Sequence, residues 1–121
     1  MGHILIIDDD PDIRDLLSIH LEGEGHVISH AENGQDGIDQ VRQTPPDLII
    51  LDINMPVMDG TRVLQTLRGA AESAKTPVIA LSAVAVPEMR DDMHRLGCDA
   101  YVDKPIDFKV LIGKIEKLLA I

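Results

Sequence analysis

Four short apolar runs stand out along the chain: Ile4 to Ile7, Leu48 to Leu51, Val78 to Leu81, and the weaker Ala100-Tyr101-Val102. Each is too short for a helix and rich in β-branched residues. Because they are apolar at successive positions rather than alternate ones, they call for burial on both faces, as in the central strands of a parallel sheet. Val27 and Ile28, inside the polar frame of His26 to His30, mark a fifth strand suited to a sheet edge. Helical spacing fills the intervals. Ile13, Leu16, Leu17 and Leu21 predict one apolar helix face, and Phe108, Leu111, Ile112, Ile115, Leu118 and Leu119 predict another over three turns. Shorter helices are predicted around Ile38 and Val41, around Val63, Leu64 and Leu67, and around Met89, Met93 and Leu96.

Punctuation agrees with these elements. Asp10 followed by Pro11 reads as an N-cap and first-turn proline, with Gly23 and Gly25 closing the same helix. Pro45-Pro46 stops the second helix and Gly97 the fourth. Five strands alternating with five helices predict an α/β fold with a parallel sheet, helices on both faces and right-handed crossovers. A length of 121 residues suits one domain, 1–121, with a continuous core.

Composition narrows the function classes. Lys and Arg number 11 against 21 Asp and Glu, a net charge of -10, which argues against binding nucleic acid phosphates or an anionic membrane surface. A cationic partner or a divalent metal fits better. Aromatic residues make up 2% of the chain, too few for a base-stacking platform. A single cysteine, Cys98, cannot form an internal disulfide and reads as a small buried hydrophobe. No apolar run approaches the roughly 18 residues that a spanning helix needs, and no export signal opens the chain, so a cytoplasmic location is expected. The five histidines, His3, His20, His26, His30 and His94, share no metal-ligand spacing.

In open parallel sheets, ligands bind at the carboxyl ends of the strands. Asp8, Asp9 and Asp10 follow the first strand, Asp52 ends the third, Ser82 the fourth, and Lys104 the fifth. Asp10 is accounted for by its capping role. Clustered carboxylates raise one another's pKa and invite a cation. Hard oxygen ligands with room for waters and a phosphate suit Mg²⁺. A phosphoryl-transfer site is the result, in which a carboxylate can itself be the nucleophile while a metal and a lysine neutralise the transferring group. Asp52, alone at the end of the central strand, is the natural acceptor.

Ile-Leu-Ile-Ile-Asp8-Asp9-Asp10, Asp52-Ile-Asn-Met-Pro-Val-Met-Asp-Gly60, Ala80-Leu-Ser82-Ala83 and Tyr101-Val-Asp-Lys104-Pro105 together resemble the receiver domain of two-component response regulators, over essentially the whole chain. The resemblance implies a doubly wound, flavodoxin-like sheet in the order 2-1-3-4-5. It implies phosphorylation of Asp52 by a sensor histidine kinase or histidine phosphotransfer protein. Asp9 and Asp52 would hold Mg²⁺ directly, Asp8 mostly through water, and the backbone carbonyl of Asn54 would complete the set. Ser82 and Lys104 would bind the phosphoryl oxygens, and Ala83 would keep the site open. The Lys104-Pro105 peptide would be cis. Ser82 and Tyr101 would form the switch, the ring swinging inward as Ser82 moves toward the phosphate, and the surface of helix four, strand five and helix five would change for an unknown downstream partner. Met89, Met93, Tyr101 and Val102 fall on that surface; Met89 and Met93, at helical spacing, read as core-facing.

Such a domain is not an enzyme in the usual sense; its chemistry is its own phosphorylation and dephosphorylation, as a monomer or weak dimer, with no contact to nucleic acid or membrane. Two other classes fit the residues less well. A phosphohydrolase with Asp8 as nucleophile and Asp10 as acid fits poorly, because Pro11 and Asp12 occupy places where such enzymes carry other residues and the chain has no room for a cap. A docking module of the same fold that acts without phosphorylation would not need the full set of acceptor, metal ligands, hydroxyl and lysine. With the chain ending just after the last helix, either a single-domain regulator or a receiver from a longer regulator or hybrid kinase fits.

Overall fold

The computed structural model describes residues 2–54, 60–83 and 87–120. Met55 to Asp59 of the motif after Asp52, and Val84, lie outside them, as does the side chain of Met89. The strands are β1 (His3–Ile7), β2 (Val27–Ala31), β3 (Leu48–Asp52), β4 (Val78–Ser82) and β5 (Ala100–Asp103). They alternate with α1 (Pro11–Gly23), α2 (Gly34–Gln43), α3 (Gly60–Gly69), α4 (Pro87–Leu96) and α5 (Phe108–Leu119). All pairings are parallel and the order is β2-β1-β3-β4-β5, with the weakly apolar β2 at an edge.

The runs of successive apolar residues in β1, β3 and β4 are explained by two cores, one on each face of the sheet. Leu5, Ile7, Ile49, Leu51, Val78 and Ala80 face α2, α3 and α4. Ile4, Ile6, Leu48, Ile50, Ile79 and Leu81 face α1 and α5. Burying both sides of a strand at roughly 25 cal/mol per Å² of apolar surface is the main force holding the sheet together. Capping follows the local sequence: the side chain of Asp10 accepts from the Asp12 N–H, that of Asn33 from Asp36, and that of Asp107 from Lys109 and Val110. Gly97, at φ 109°, ends α4 in the left-handed region.

One apolar position departs from the expected pattern. Leu16 is 43% exposed, although its spacing places it with Ile13, Leu17 and Leu21. The buried arc of α1 is rotated the other way, toward Ser18, whose hydroxyl donates to the Arg14 carbonyl and pairs with His30 Nε2 at 2.9 Å. A hydrogen-bonded serine thereby takes a place in the interface that hydrophobicity assigns to a leucine. Met93 and Cys98 are buried as expected. Burial pushes the Cys98 thiol up to about 11, reinforced by the nearby Asp99, so it stays protonated and unreactive.

Arg68, at the end of α3, ties together the amino ends of two strands. Its guanidinium donates to the carbonyls of Gly97, Ser73 and Thr76 and to Asp99 Oδ2, which also accepts from the Val78 N–H. Gly60 opens α3 under a different constraint. A Cβ there would lie 2.3 Å from the Ile53 Cα, so backbone meets backbone immediately after Asp52. Gly60→Ala should therefore cost about 1–3 kcal/mol, as overpacking does. Gly113→Ala, in the interior of α5 with nothing within 4 Å, should stabilise by about 0.5–1 kcal/mol through helix propensity. Urea unfolding of the two variants checks both signs.

Candidate functional site

Three backbone hydrogen bonds carry the sheet ladder past the strands and place the polar groups. The Asp8 N–H donates to the Ala31 carbonyl, the Ile53 N–H to Leu81 and the Lys104 N–H to Ser82, at 2.7 to 3.1 Å. The register sets Asp52 opposite Leu81 and Ser82 opposite Asp103. Asp8, Asp52, Ser82 and Lys104 are thus fixed along one edge by main-chain geometry, independently of any attraction between their side chains.

At that edge Asp8, Asp9 and Asp52 offer carboxylate oxygens that all lie within 4.8 Å of one another. Asp8 and Asp52 are buried and Asp9 is exposed at the mouth. The ammonium of Lys104 lies 3.6 Å from Asp8 Oδ2 and 3.5 Å from Asp52 Oδ1. It attracts both charges but is too far away to make a short hydrogen bond to either. Asp8 Oδ1 accepts from the Asp10 N–H, and Asp52 Oδ1 from the Asn54 N–H. Asp8 Oδ2 is buried with no hydrogen-bond partner among the described residues. Burial, and secondarily the neighbouring Asp52, push the Asp8 carboxyl up to about 6, against the pull of the Asp10 N–H and Lys104.

A buried carboxylate oxygen without a donor, beside two further carboxylates, is the environment that a hard divalent cation satisfies. The residues present therefore fit Mg²⁺. The other expected positions sort clearly. Ser82 is fully buried at the end of β4. Asn54 is exposed beside Asp52, and the Lys104-Pro105 peptide is cis. Tyr101 lies three residues before Lys104, on the face of β5 toward α4, and the residue is 8% exposed. Asp10 only caps α1. Met93, Tyr101 and Val102 are buried here, so they underlie the α4 and β5 surface rather than form it.

Two contacts were not foreseen. Arg14 Nη1 donates to the Asp8 carbonyl at 2.6 Å, locking the first acidic loop to α1. Asn54 Oδ1 accepts from the Ala83 N–H at 2.9 Å, linking the segment after β3 to the one after β4. Neither has a sequence signal, since each joins a polar side chain to a main-chain group that any residue could supply.

The model of the response regulator receiver domain family matches residues 4–116. RpaA of Synechocystis sp., a DNA-binding dual master transcriptional regulator, is 40% identical over 98% of this chain and 49% of its own length. PilH of Pseudomonas aeruginosa is 36% identical over 99% of both chains. The chain therefore spans about half the length of one relative and nearly all of the other. Among solved structures, the chemotaxis protein CheY4 of Vibrio cholerae superposes with a TM-score of 0.92 at 27% identity, covering 98% of this chain and 99% of that one. The signal receiver domain of a signal transduction histidine kinase from Syntrophus aciditrophicus gives a TM-score of 0.91 at 33% identity, over 99% of this chain and 91% of that one.

The raised carboxyl of Asp8 has a measurable consequence. Between its ordinary value of 3.8 and its folded value of about 6, the folded chain keeps a proton that the unfolded chain releases. In metal-free buffer this group's contribution to stability therefore falls as pH rises through that window, and it levels off above it. Asp8→Asn removes the titration. It should be more stable than the parent at pH 7.5, with the gain shrinking toward pH 4, as read by urea unfolding at the two pH values.

Proposed function

Since the chain belongs to the response regulator receiver domain family, we propose that Asp52 is the phosphoacceptor of a two-component pathway and that phosphorylation switches the α4, β5 and α5 surface for a protein partner. Receiver domains of this family are signalling modules that work with histidine kinases or phosphotransfer proteins. The observation that carries the reading is the pocket itself: Asp52 and Asp8, both buried, share the Lys104 ammonium, and Asp8 Oδ2 has no hydrogen-bond donor among the described residues.

An Asp52 carboxylate oxygen attacks phosphorus while the bond from phosphorus to the donor's imidazole nitrogen breaks, and the imidazole regains a proton. Asp9 and Asp52 would hold Mg²⁺ directly, Asp8 through water and Asn54 through its carbonyl; when bound, the ion offsets negative charge on the transferring oxygens. Lys104 balances the charge left on the phosphoryl group, and the Ser82 hydroxyl donates to one of its oxygens. The new group brings roughly -1.5 to -2 of charge and three strong acceptors. Ser82 and the Ala83 N–H answer that demand by moving the segment after β4, whose Ala83 N–H is held by Asn54 in the resting protein. Water returns the carboxylate and releases inorganic phosphate.

Intact-mass measurement after incubation with Mg²⁺ and acetyl phosphate should show one added phosphoryl group on the parent and none on Asp52→Asn. An increase that survives the substitution overturns the assignment, and no increase on the parent favours a docking module that works without phosphorylation. Millimolar Mg²⁺ should also raise the melting temperature. The gain is about 1.4 kcal/mol once free ion is ten times Kd. It should be larger at pH 8 than at pH 5, because the Asp8 carboxyl is largely protonated at the lower value, and calorimetry with and without chelator checks it.

A further inference from the structure

Tyr101 is one ring in a chain with 2% aromatic residues and no tryptophan, and it is held at a specific place. The guanidinium of Arg90, on α4, stands over the ring with its carbon 5.3 Å from the centroid, within the range of cation–π attraction. Arg90 Nη2 also pairs with Asp103 Oδ2 at 3.2 Å. Tyr101 and Asp103 sit on the same face of β5, two residues apart, so one guanidinium grips the strand on both sides of Val102. The other carboxylate oxygen of Asp103 is buried without a hydrogen-bond partner, which leaves Arg90 as the cation paired with this group among the described residues. The next residue is Lys104, whose N–H is bonded to the Ser82 carbonyl at 2.7 Å and whose ammonium faces Asp8 and Asp52.

We propose that Arg90 is a positioning residue for the phosphoacceptor site: by capping Tyr101 and pairing with Asp103, it holds the ring in the core and biases the resting protein toward the conformation that accepts the phosphoryl group. This inference rests on the phosphoacceptor reading of Asp52. An ion pair with both side chains about half exposed contributes little alone. The effect comes from one group engaging two neighbours, since outward rotation of the ring exchanges the guanidinium contact for water. If the buried ring and the phosphoryl-competent pocket belong to the same state, whatever favours one raises affinity at the other by the same factor.

Tyr101 fluorescence reads the contact directly, as the chain has one tyrosine and no tryptophan. In the full chain without phosphate or mimic, Arg90→Ala should raise the acrylamide quenching constant. It should also weaken the midpoint for beryllofluoride with Mg²⁺ by roughly 3- to 30-fold, the range for losing one cation–π contact and one exposed ion pair. Arg90→Lys should recover part of both effects, since it keeps the cation but loses the planar fork. Asp103→Asn should have a smaller effect on quenching, since the cation remains over the ring. Circular dichroism confirms that each variant folds. Quenching of Arg90→Ala equal to the parent's overturns the capping role. Increased quenching with an unchanged beryllofluoride midpoint overturns the coupling. A parent protein that binds no beryllofluoride overturns the phosphoacceptor reading and the coupling with it, while quenching still decides whether Arg90 holds the ring.

Discussion

A single ammonium group shared by two buried carboxylates is the interaction on which the site depends. Lys104 lies 3.5 and 3.6 Å from Asp52 and Asp8, and without it the pocket would hold two like charges removed from water. Even with it, burial outweighs the attraction at Asp8, whose carboxyl is pushed up to about 6. The pocket is therefore left incompletely neutralised, an environment that suits a divalent cation. The sheet supplies the rigidity for this. Asp8, Asp52 and Lys104 each follow a residue locked in the ladder or are bonded to it themselves, so the charges cannot drift apart to lower their energy.

The same edge carries a series of contacts that lead away from Asp52. Asn54 spans the gap to Ala83, and β5 carries Lys104 at its end and Tyr101 three residues earlier. From Tyr101 the contact passes to Arg90 and so to α4. These are short, directional contacts between elements that are otherwise held by apolar packing, which constrains position less specifically. Structural likeness to chemotaxis and kinase receiver domains covers nearly the whole of those chains, while RpaA extends over about twice the length matched here. The receiver fold thus occurs in proteins of different length and output.

Much of the fold could be read directly because burial on both faces of a parallel sheet leaves an unambiguous trace. Four residues in a row of the Ile4 to Ile7 type fit little else, and Asp10-Pro11 and Gly97 bound their helices as local rules require. Leu16 shows where such reading fails. Its spacing is right for an apolar face, yet the buried arc of α1 turns toward Ser18, which is hydrogen-bonded to His30, and the leucine is 43% exposed. Gly60 is required for a reason the sequence does not display, because a Cβ there would meet the Ile53 backbone.

By itself, the sequence determined the order of elements, the edge on which the charged residues gather and the chemical class of that edge, because hydrophobic period and strand-end position are local properties. The tertiary structure decided how the charges compete. It set which carboxylate is buried, which oxygen lacks a donor and how far Lys104 stands from each. It also brought Arg14 to the Asp8 carbonyl, Asn54 to Ala83 and Arg90 to Tyr101. Electrostatic energies and hydrogen bonds depend on distances of a few ångströms between residues remote in the chain, and those distances exist only once the sheet has aligned the strand ends.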